Sequence, residues 1–196
     1  MERLQEASKK PAGGLLQAIV VCSGGLDSVT TAHYVKKKLN YSKIKILFFN
    51  YSQKSLEAER KAAKLTSKDL KAEFKELKLT ELASLSSSLI NKPGKTKKLA
   101  LKDLKNTKEE SNKWYVPCRN LIFLSYSLAI AESEYTKNKT LSDIFTGFKC
   151  DGPEMFPDAT PAFVSALNQV SKVSCKKPFK IITPLIKMDK EDIIQL

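Results

Sequence analysis

Ser23-Gly24-Gly25-Leu26-Asp27-Ser28 is the stretch of this chain whose residue types and spacing are suited to chemistry. It follows a short β-branched apolar run, Ala18 to Cys22, and precedes a helical pattern. Two glycines after a buried strand let the backbone turn tightly and approach a ligand with no side chain in the way. Asp27 and Ser28 are favoured N-cap types. A helix is therefore expected to begin there, its free N–H groups and positive dipole end facing the strand's carboxyl end. Such a turn is an anion site. It is not a Walker A loop, because no Gly-Lys-Ser/Thr follows, and it lacks the Gly-x-Gly-x-x-Gly of dinucleotide folds. The plain alternative is a glycine turn with a capped helix and no ligand.

Strands and helices must carry this turn. Leu16 to Cys22 is the first strand, and Ser28 to Leu39 the first helix, with Val29, Ala32, Val35 and Leu39 at helical spacing. Ile44 to Phe49 is apolar on both faces, as a central parallel strand should be. A helix over 56–70, a strand over 72–77 and a short helix over 80–89 follow. Residues 91–113, rich in lysine and holding Pro93-Gly94, read as a long loop over the site, able to act as a lid. A helix over 119–136 has its stripe at Leu121, Leu124, Leu128, Ala131 and Tyr135. The rest reads as a strand over 142–146, a helix over 161–173, a strand over 180–183, and a helix capped by Asp189 and still running at Leu196. Strand–helix alternation implies right-handed crossovers and an α/β, Rossmann-like parallel five-stranded sheet with helices on both faces. Three polar clusters follow strands: Ser23–Ser28, Asn50–Gln53 and Gly147–Asp158. In such sheets they converge on one crevice beyond the carboxyl ends.

The bulk numbers are those of one domain. The chain has 196 residues, 42% of them hydrophobic, so residues 16–196 are expected to fold as a unit behind a loose extension over 1–15. Lys+Arg total 34 against 21 Asp+Glu, giving +13, which suits anionic ligands and allows nucleic acid without requiring it. Cys22, Cys118, Cys150 and Cys175 form no Cys-x-x-Cys pair, the usage of a reduced, cytoplasmic protein. No apolar run is long enough to span a bilayer. The single histidine, His33, has no assigned role.

Ser23-Gly-Gly-Leu-Asp-Ser28 resembles the pyrophosphate loop of the N-type ATP pyrophosphatases, which share the adenine nucleotide alpha hydrolase-like fold. Within them the chain is similar to the 7-cyano-7-deazaguanine synthase family. The resemblance extends through Asn50-Tyr-Ser-Gln-Lys54, Tyr115-Val-Pro-Cys-Arg-Asn120, and Thr146-Gly147 through Phe156-Pro-Asp158 to Asn168. A fainter echo lies at Thr183-Pro-Leu-Ile-Lys-Met-Asp-Lys190. It implies ATP-dependent conversion of 7-carboxy-7-deazaguanine and ammonia to the nitrile through an acyl adenylate, on the route to a modified tRNA nucleoside (queuosine or archaeosine). The implied nucleotide contacts are Ser23, Gly24, Gly25, Leu26, Asp27, Ser28, Tyr51, Gln53, Arg119 and Asn120. Ser23, Asp27 and Arg119 are the catalytic candidates. Asp27 is either a magnesium ligand or a helix cap. Arg119 can offer a charge-assisted fork to phosphate or carboxylate, or lie on the surface. Asn120 either caps its helix or bonds the nucleotide. Gly147, Phe156 and Asp158 are the implied substrate contacts, a carboxylate and a stacking face for the heterocycle; a Pro-Asp turn capping the following helix is the alternative for Asp158.

The chain departs from the family at Cys118, where the family has glycine, and at Ala159-Thr160, where it has Cys-Arg. The acidic residue after Thr-Gly is matched only by Asp151, and Ser55 stands where many members have histidine. The family's four-cysteine zinc site lies in a last segment onto which none of these four cysteines maps. ATP and magnesium are therefore the expected cofactors, with zinc doubtful, and a homodimer the expected assembly. Two other readings remain: a divergent ligase that joins a deazaguanine or related acid to another acceptor, and a non-catalytic nucleotide- or RNA-binding relative.

Overall fold

The computed structural model describes residues 16–91, 113–149 and 156–195. Most of the expected lid over 91–113, the extension over 1–15, Cys150 and Asp151 lie outside the described residues. Five strands form one parallel sheet: β1 (Leu16–Val21), β2 (Lys43–Asn50), β3 (Glu73–Lys78), β4 (Leu141–Thr146) and β5 (Ile181–Ile182), in the order β3-β2-β1-β4-β5. The chain steps outward from β1 to β3, then crosses back to lay β4 on the other side of β1. That reversal opens a crevice at the carboxyl ends of β1 and β4, where ligands of open α/β sheets sit.

Successive strand residues face opposite sides. Ala18, Val20, Ile46, Phe48 and Phe145 pack under α1 (Leu26–Lys37) and α2 (Leu56–Asp69). Ile19, Leu47, Phe49 and Ile144 pack under α3 (Arg119–Asn138) and α4 (Pro161–Ser174). Both faces are covered, which is why β2 is buried from Ile44 to Asn50. The expected fold class and the order of strands and helices hold. A last short helix, α5 (Lys190–Ile194), has a reciprocal capping box between Asp189 and Asp192. Among the described residues no helix is long and apolar enough to cross a membrane.

Four local expectations are corrected. First, α1 begins at Leu26 rather than Ser28, because the backbone already reverses at Gly24; its N-cap is Gly25, and neither Asp27 nor Ser28 caps it. Second, the short helix over 80–89 shrinks to a 3₁₀ turn, Thr80–Ala83. The serines beyond it bond nearby backbone instead: Ser84 Oγ donates to the Glu81 carbonyl at 2.7 Å, and Ser86 Oγ accepts from the Ser88 N–H at 3.0 Å. Third, Leu121 is 37% exposed, and the buried stripe of α3 runs through Asn120, Phe123, Leu124, Ser127, Leu128 and Ala131. Fourth, α5 stops at Ile194, and β5 pairs over two residues only before Pro184 ends the run.

At the opposite end of the sheet from the crevice, β2 carries a buried charge. Lys45, 5% exposed, pairs with Glu134 of α3 and lies 3.2 Å from Glu73. Gln17 Nε2 donates to Glu134 at 2.9 Å. Removing one partner of a buried pair strands the other, a cost of roughly 3–5 kcal/mol where no partner remains. Glu73 remains here, so Glu134→Ala is expected to cost about 2 kcal/mol, read as a lower urea midpoint at unchanged slope.

Candidate active site

Gly24 has φ +81°, a region that side chains avoid, and a Cβ there would lie 2.6 Å from the Glu59 carbonyl oxygen and 2.8 Å from Ala62 Cβ. A Cβ on Gly147 would lie 2.8 Å from the backbone C and O of Asp27. The first turn of α1 is thus wedged, backbone to backbone, beside the end of β4, with its entry loop pressed on α2. Gly25 differs: its nearest neighbour is Ser23 Oγ at 3.5 Å, so its bareness leaves the loop surface open.

Val29 is the first residue of α1 to donate within the helix, to the Gly25 carbonyl at 3.0 Å. The N–H groups of Leu26, Asp27 and Ser28 are the helix's orphan donors at its positive end, where anions are stabilised. Leu26 contributes by backbone alone, its side chain being 51% exposed. Ser28 Oγ donates to the Gly25 carbonyl at 2.9 Å and lies 3.3 Å from Ser23 Oγ. These groups, with Thr146 and Gly147, line a cavity of about 190 Å³. Asp27 Oδ1 is buried and has no hydrogen-bond partner among the described residues. An unpartnered buried carboxylate oxygen fits a hard cation, and magnesium commonly takes one or two carboxylates, completing its shell with phosphate and water. No group of three or more His, Cys, Asp or Glu suited to a metal occurs among the described residues.

A second cavity, about 330 Å³, shares Val21 and Ser23 with the first. Leu47, Phe49 and Phe123 give it apolar walls, while Tyr51, Glu59 and Arg119 give it polar ones. Phe49 and Phe123 stack at 4.1 Å, holding α3 to β2. Arg119 is therefore no free surface arginine: Nη1 donates to Tyr51 Oη at 3.2 Å, and the guanidinium lies 5.7 Å from that ring. Burial pushes the Tyr51 phenol above its ordinary value, so it stays protonated at neutral pH. The Cys22 thiol, also at this wall, is likewise pushed up by burial.

Gln53 lines this cavity but is committed at both ends of its amide. It accepts from the Tyr51 N–H at 3.0 Å and donates to the Phe49 carbonyl at 3.1 Å and to Glu59 at 2.9 Å. Glu59 also accepts from Ser55 Oγ. Sequence reasoning missed Glu59, because an acid in the first turn of a helix reads as a dipole partner.

The third cluster sits behind Arg119. Asp158, 8% exposed, accepts the Asn120 N–H at 3.0 Å, and Asn120 Nδ2 donates to the Asp158 carbonyl at 3.1 Å. Asp158 thus caps α3, not the helix that follows it, which Thr160 caps by accepting the Phe163 N–H at 3.0 Å. Phe156 stacks on Tyr115 at 5.5 Å. The structure brings Ser23, Gly25, Leu26, Asp27, Ser28 and Gly147 into one cavity, and Tyr51, Gln53 and Arg119 into its neighbour, while Gly24 lines neither and packs on α2. Asn120 and Asp158 are joined to each other. His33 lies elsewhere, 3.6 Å from Asp69.

This sheet order, with a glycine turn and an orphan-donor helix at its switch point, defines an α/β domain with a Rossmann-like, five-stranded parallel sheet. The U34-tRNA thiolase NcsA from Methanococcus maripaludis, solved with its 4Fe-4S cluster, has the same fold; the TM-score is 0.56 at 14% identity, over 99% of this chain and 60% of the thiolase. Within that class the sequence is more specific. The profile of the family described as queuosine biosynthesis protein QueC matches residues 17–196, and this chain belongs to that family. Among its relatives named 7-cyano-7-deazaguanine synthase, that of Pyrococcus furiosus is 30% identical over 187 residues, covering 92% of this chain and 74% of the relative. That of Methanococcus vannielii is 32% identical over 180 residues, covering 91% and 74%. The chain therefore spans about three quarters of those relatives and three fifths of the thiolase.

The two loop glycines should separate on substitution. Gly24→Ala forces both a left-handed alanine, about 1–2 kcal/mol, and displacement of α2; a loss of more than about 2 kcal/mol is expected by denaturant unfolding. Gly25→Ala should leave the thermal midpoint within about 2 °C while weakening pyrophosphate binding by calorimetry.

Proposed function

We propose that this protein is an ATP-dependent carbon–nitrogen ligase that converts 7-carboxy-7-deazaguanine and ammonia to 7-cyano-7-deazaguanine. The observation that carries the reading is the pair of adjoining cavities: a helix-start cavity with an orphan carboxylate oxygen, sharing Val21 and Ser23 with an apolar-walled chamber that Arg119 lines. Family membership and the relatives' names support the choice of substrate.

In this reading the orphan N–H groups of Leu26, Asp27 and Ser28, with Ser23 Oγ, hold the β- and γ-phosphates of ATP. Gly25 keeps that surface bare, and Gly147 lets the first turn of α1 sit against the end of β4. Donors fixed before the reaction stabilise the leaving pyrophosphate without reorganisation. The substrate carboxylate attacks the α-phosphorus and displaces pyrophosphate, giving an acyl adenylate. Arg119 faces the charge that develops there. Ammonia displaces AMP and, after losing a proton, leaves the amide. The amide oxygen then attacks a second ATP with loss of pyrophosphate; departure of AMP and of the two nitrogen-bound protons leaves the nitrile. Asp27 is the residue that would hold magnesium, which neutralises phosphate charge when bound. The apolar walls of the larger chamber keep water from the adenylate. A homodimer in the cytoplasm is the proposed setting.

Thr160 favours a second outcome. The family's arginine position is here a helix-capping threonine, so a substrate contact supplied by that arginine is lost. Reaction could then stop at the amide or pass to another acceptor. Incubation with ATP, magnesium, ammonia and the carboxy-deazaguanine, followed by mass spectrometry, separates these. The expected result is a nitrile with two AMP per product. An amide or conjugate with one AMP selects the second outcome, and ADP as the only nucleotide product contradicts both. Asp27→Ala and Arg119→Ala should each lower kcat by about 100-fold.

A further inference from the structure

We infer that Asp158 and Asn120 are positioning residues that fix the pose of the Arg119 guanidinium, and that Asp158 does not read the heterocycle. The inference rests on the proposed reaction only in placing Arg119 at the reacting phosphate. α3 begins without a cap of its own, since its N-cap Cys118 is left-handed (φ 52°) and makes no side-chain bond to the helix. The orphan N–H of Asn120 is satisfied instead by a carboxylate 38 residues away, Asp158 Oδ2, at 3.0 Å. The return bond runs from Asn120 Nδ2 to the Asp158 carbonyl at 3.1 Å.

The other end of the same amide points forward. Asn120 Oδ1 accepts from Arg119 Nε at 3.4 Å, and Arg119 Nη1 donates to Tyr51 Oη at 3.2 Å. Asp158, Asn120, Arg119 and Tyr51 thus form one continuous chain of bonds from behind α3 into the larger cavity. The Asn120 amide is fixed in orientation, because a flip would break the bond on each side. Asp158 is 8% exposed with one oxygen committed, and it does not line either cavity. Phe156, expected to stack on substrate, already has Tyr115 on its ring. Displacement of a catalytic group by an ångström is worth up to about 100-fold in rate, so a clasp of this kind acts on turnover rather than on recognition.

Three variants test it: Asp158→Asn, Asn120→Ala and Asp158→Ala. An amide at 158 still offers an oxygen to the Asn120 N–H, so Asp158→Asn should keep kcat within about threefold with the KM for the acid unchanged. Asn120→Ala should lower kcat by about tenfold or more while that KM moves less than about twofold. A KM raised more than tenfold in Asp158→Asn would mean that the carboxylate itself binds substrate, and would overturn the clasp. A second readout needs no turnover: Trp114, the only tryptophan, directly precedes Tyr115. Acrylamide quenching of Trp114 should rise in Asp158→Ala and stay at the parent level in Asp158→Asn. Equal quenching in all variants would sink the clasp even if the parent proves inactive on the deazaguanine acid, a result that would by itself count only against the proposed reaction.

Discussion

Backbone packed against backbone at two glycines is the constraint from which the site follows. Gly24 lets the chain leave β1 while touching α2, and Gly147 lets β4 end against the first turn of α1. The turn is held by covalent geometry and close packing, with no adaptable side chain between its parts. Its donors therefore point into the cavity before any ligand arrives, which is where electrostatic preorganisation has its effect. A methyl group at either position would move the helix, and with it every orphan N–H at once.

Two opposite charges are delivered to the crevice by different means. Asp27 comes from the turn itself, inside the first turn of α1. Arg119 arrives on a 20-residue helix packed under the sheet, the Phe49–Phe123 stack holding that helix near its start. Cys118, just before it, occupies a left-handed conformation that costs a non-glycine residue about 1–2 kcal/mol. Strain of this size persists where surrounding contacts over-determine the backbone. Here the Tyr115 hydroxyl accepts the Cys118 N–H at 3.4 Å, and the Asn120–Asp158 bonds hold the next turn. The left-handed backbone is the conformational reason a glycine would suit this position.

The sheet was legible because parallel strands covered on both faces leave unbroken apolar runs such as Ile44 to Phe49. The glycine turn was legible from its placement between strand and helix. What the sequence concealed was long-range. Nothing near Leu121 says that Asn120 is anchored from residue 158 and so sets which face of α3 is buried. Nothing near Gly24 says that its missing Cβ makes room for the Glu59 carbonyl. The commitment of Gln53 at both ends was equally hidden, because a polar residue after a strand reads alike whether it faces a ligand or holds its own loop.

The two candidate carboxylates, Asp27 and Asp158, show how that ambiguity resolves physically. Both follow glycine- or proline-marked turns, and both stand where an aspartate conventionally caps a helix. A buried carboxylate must find donors or a cation, since an unpaired charge in a low-dielectric site is costly. Asp158 has its donor in the Asn120 N–H, so its charge is spent on holding two segments together. Asp27 keeps a buried oxygen without a partner, on the edge of a cavity lined by phosphate-type donors. In the proposed reaction the satisfied group belongs to the framework and the unsatisfied one to the chemistry, so hydrogen bonding separates residues that motif matching placed side by side.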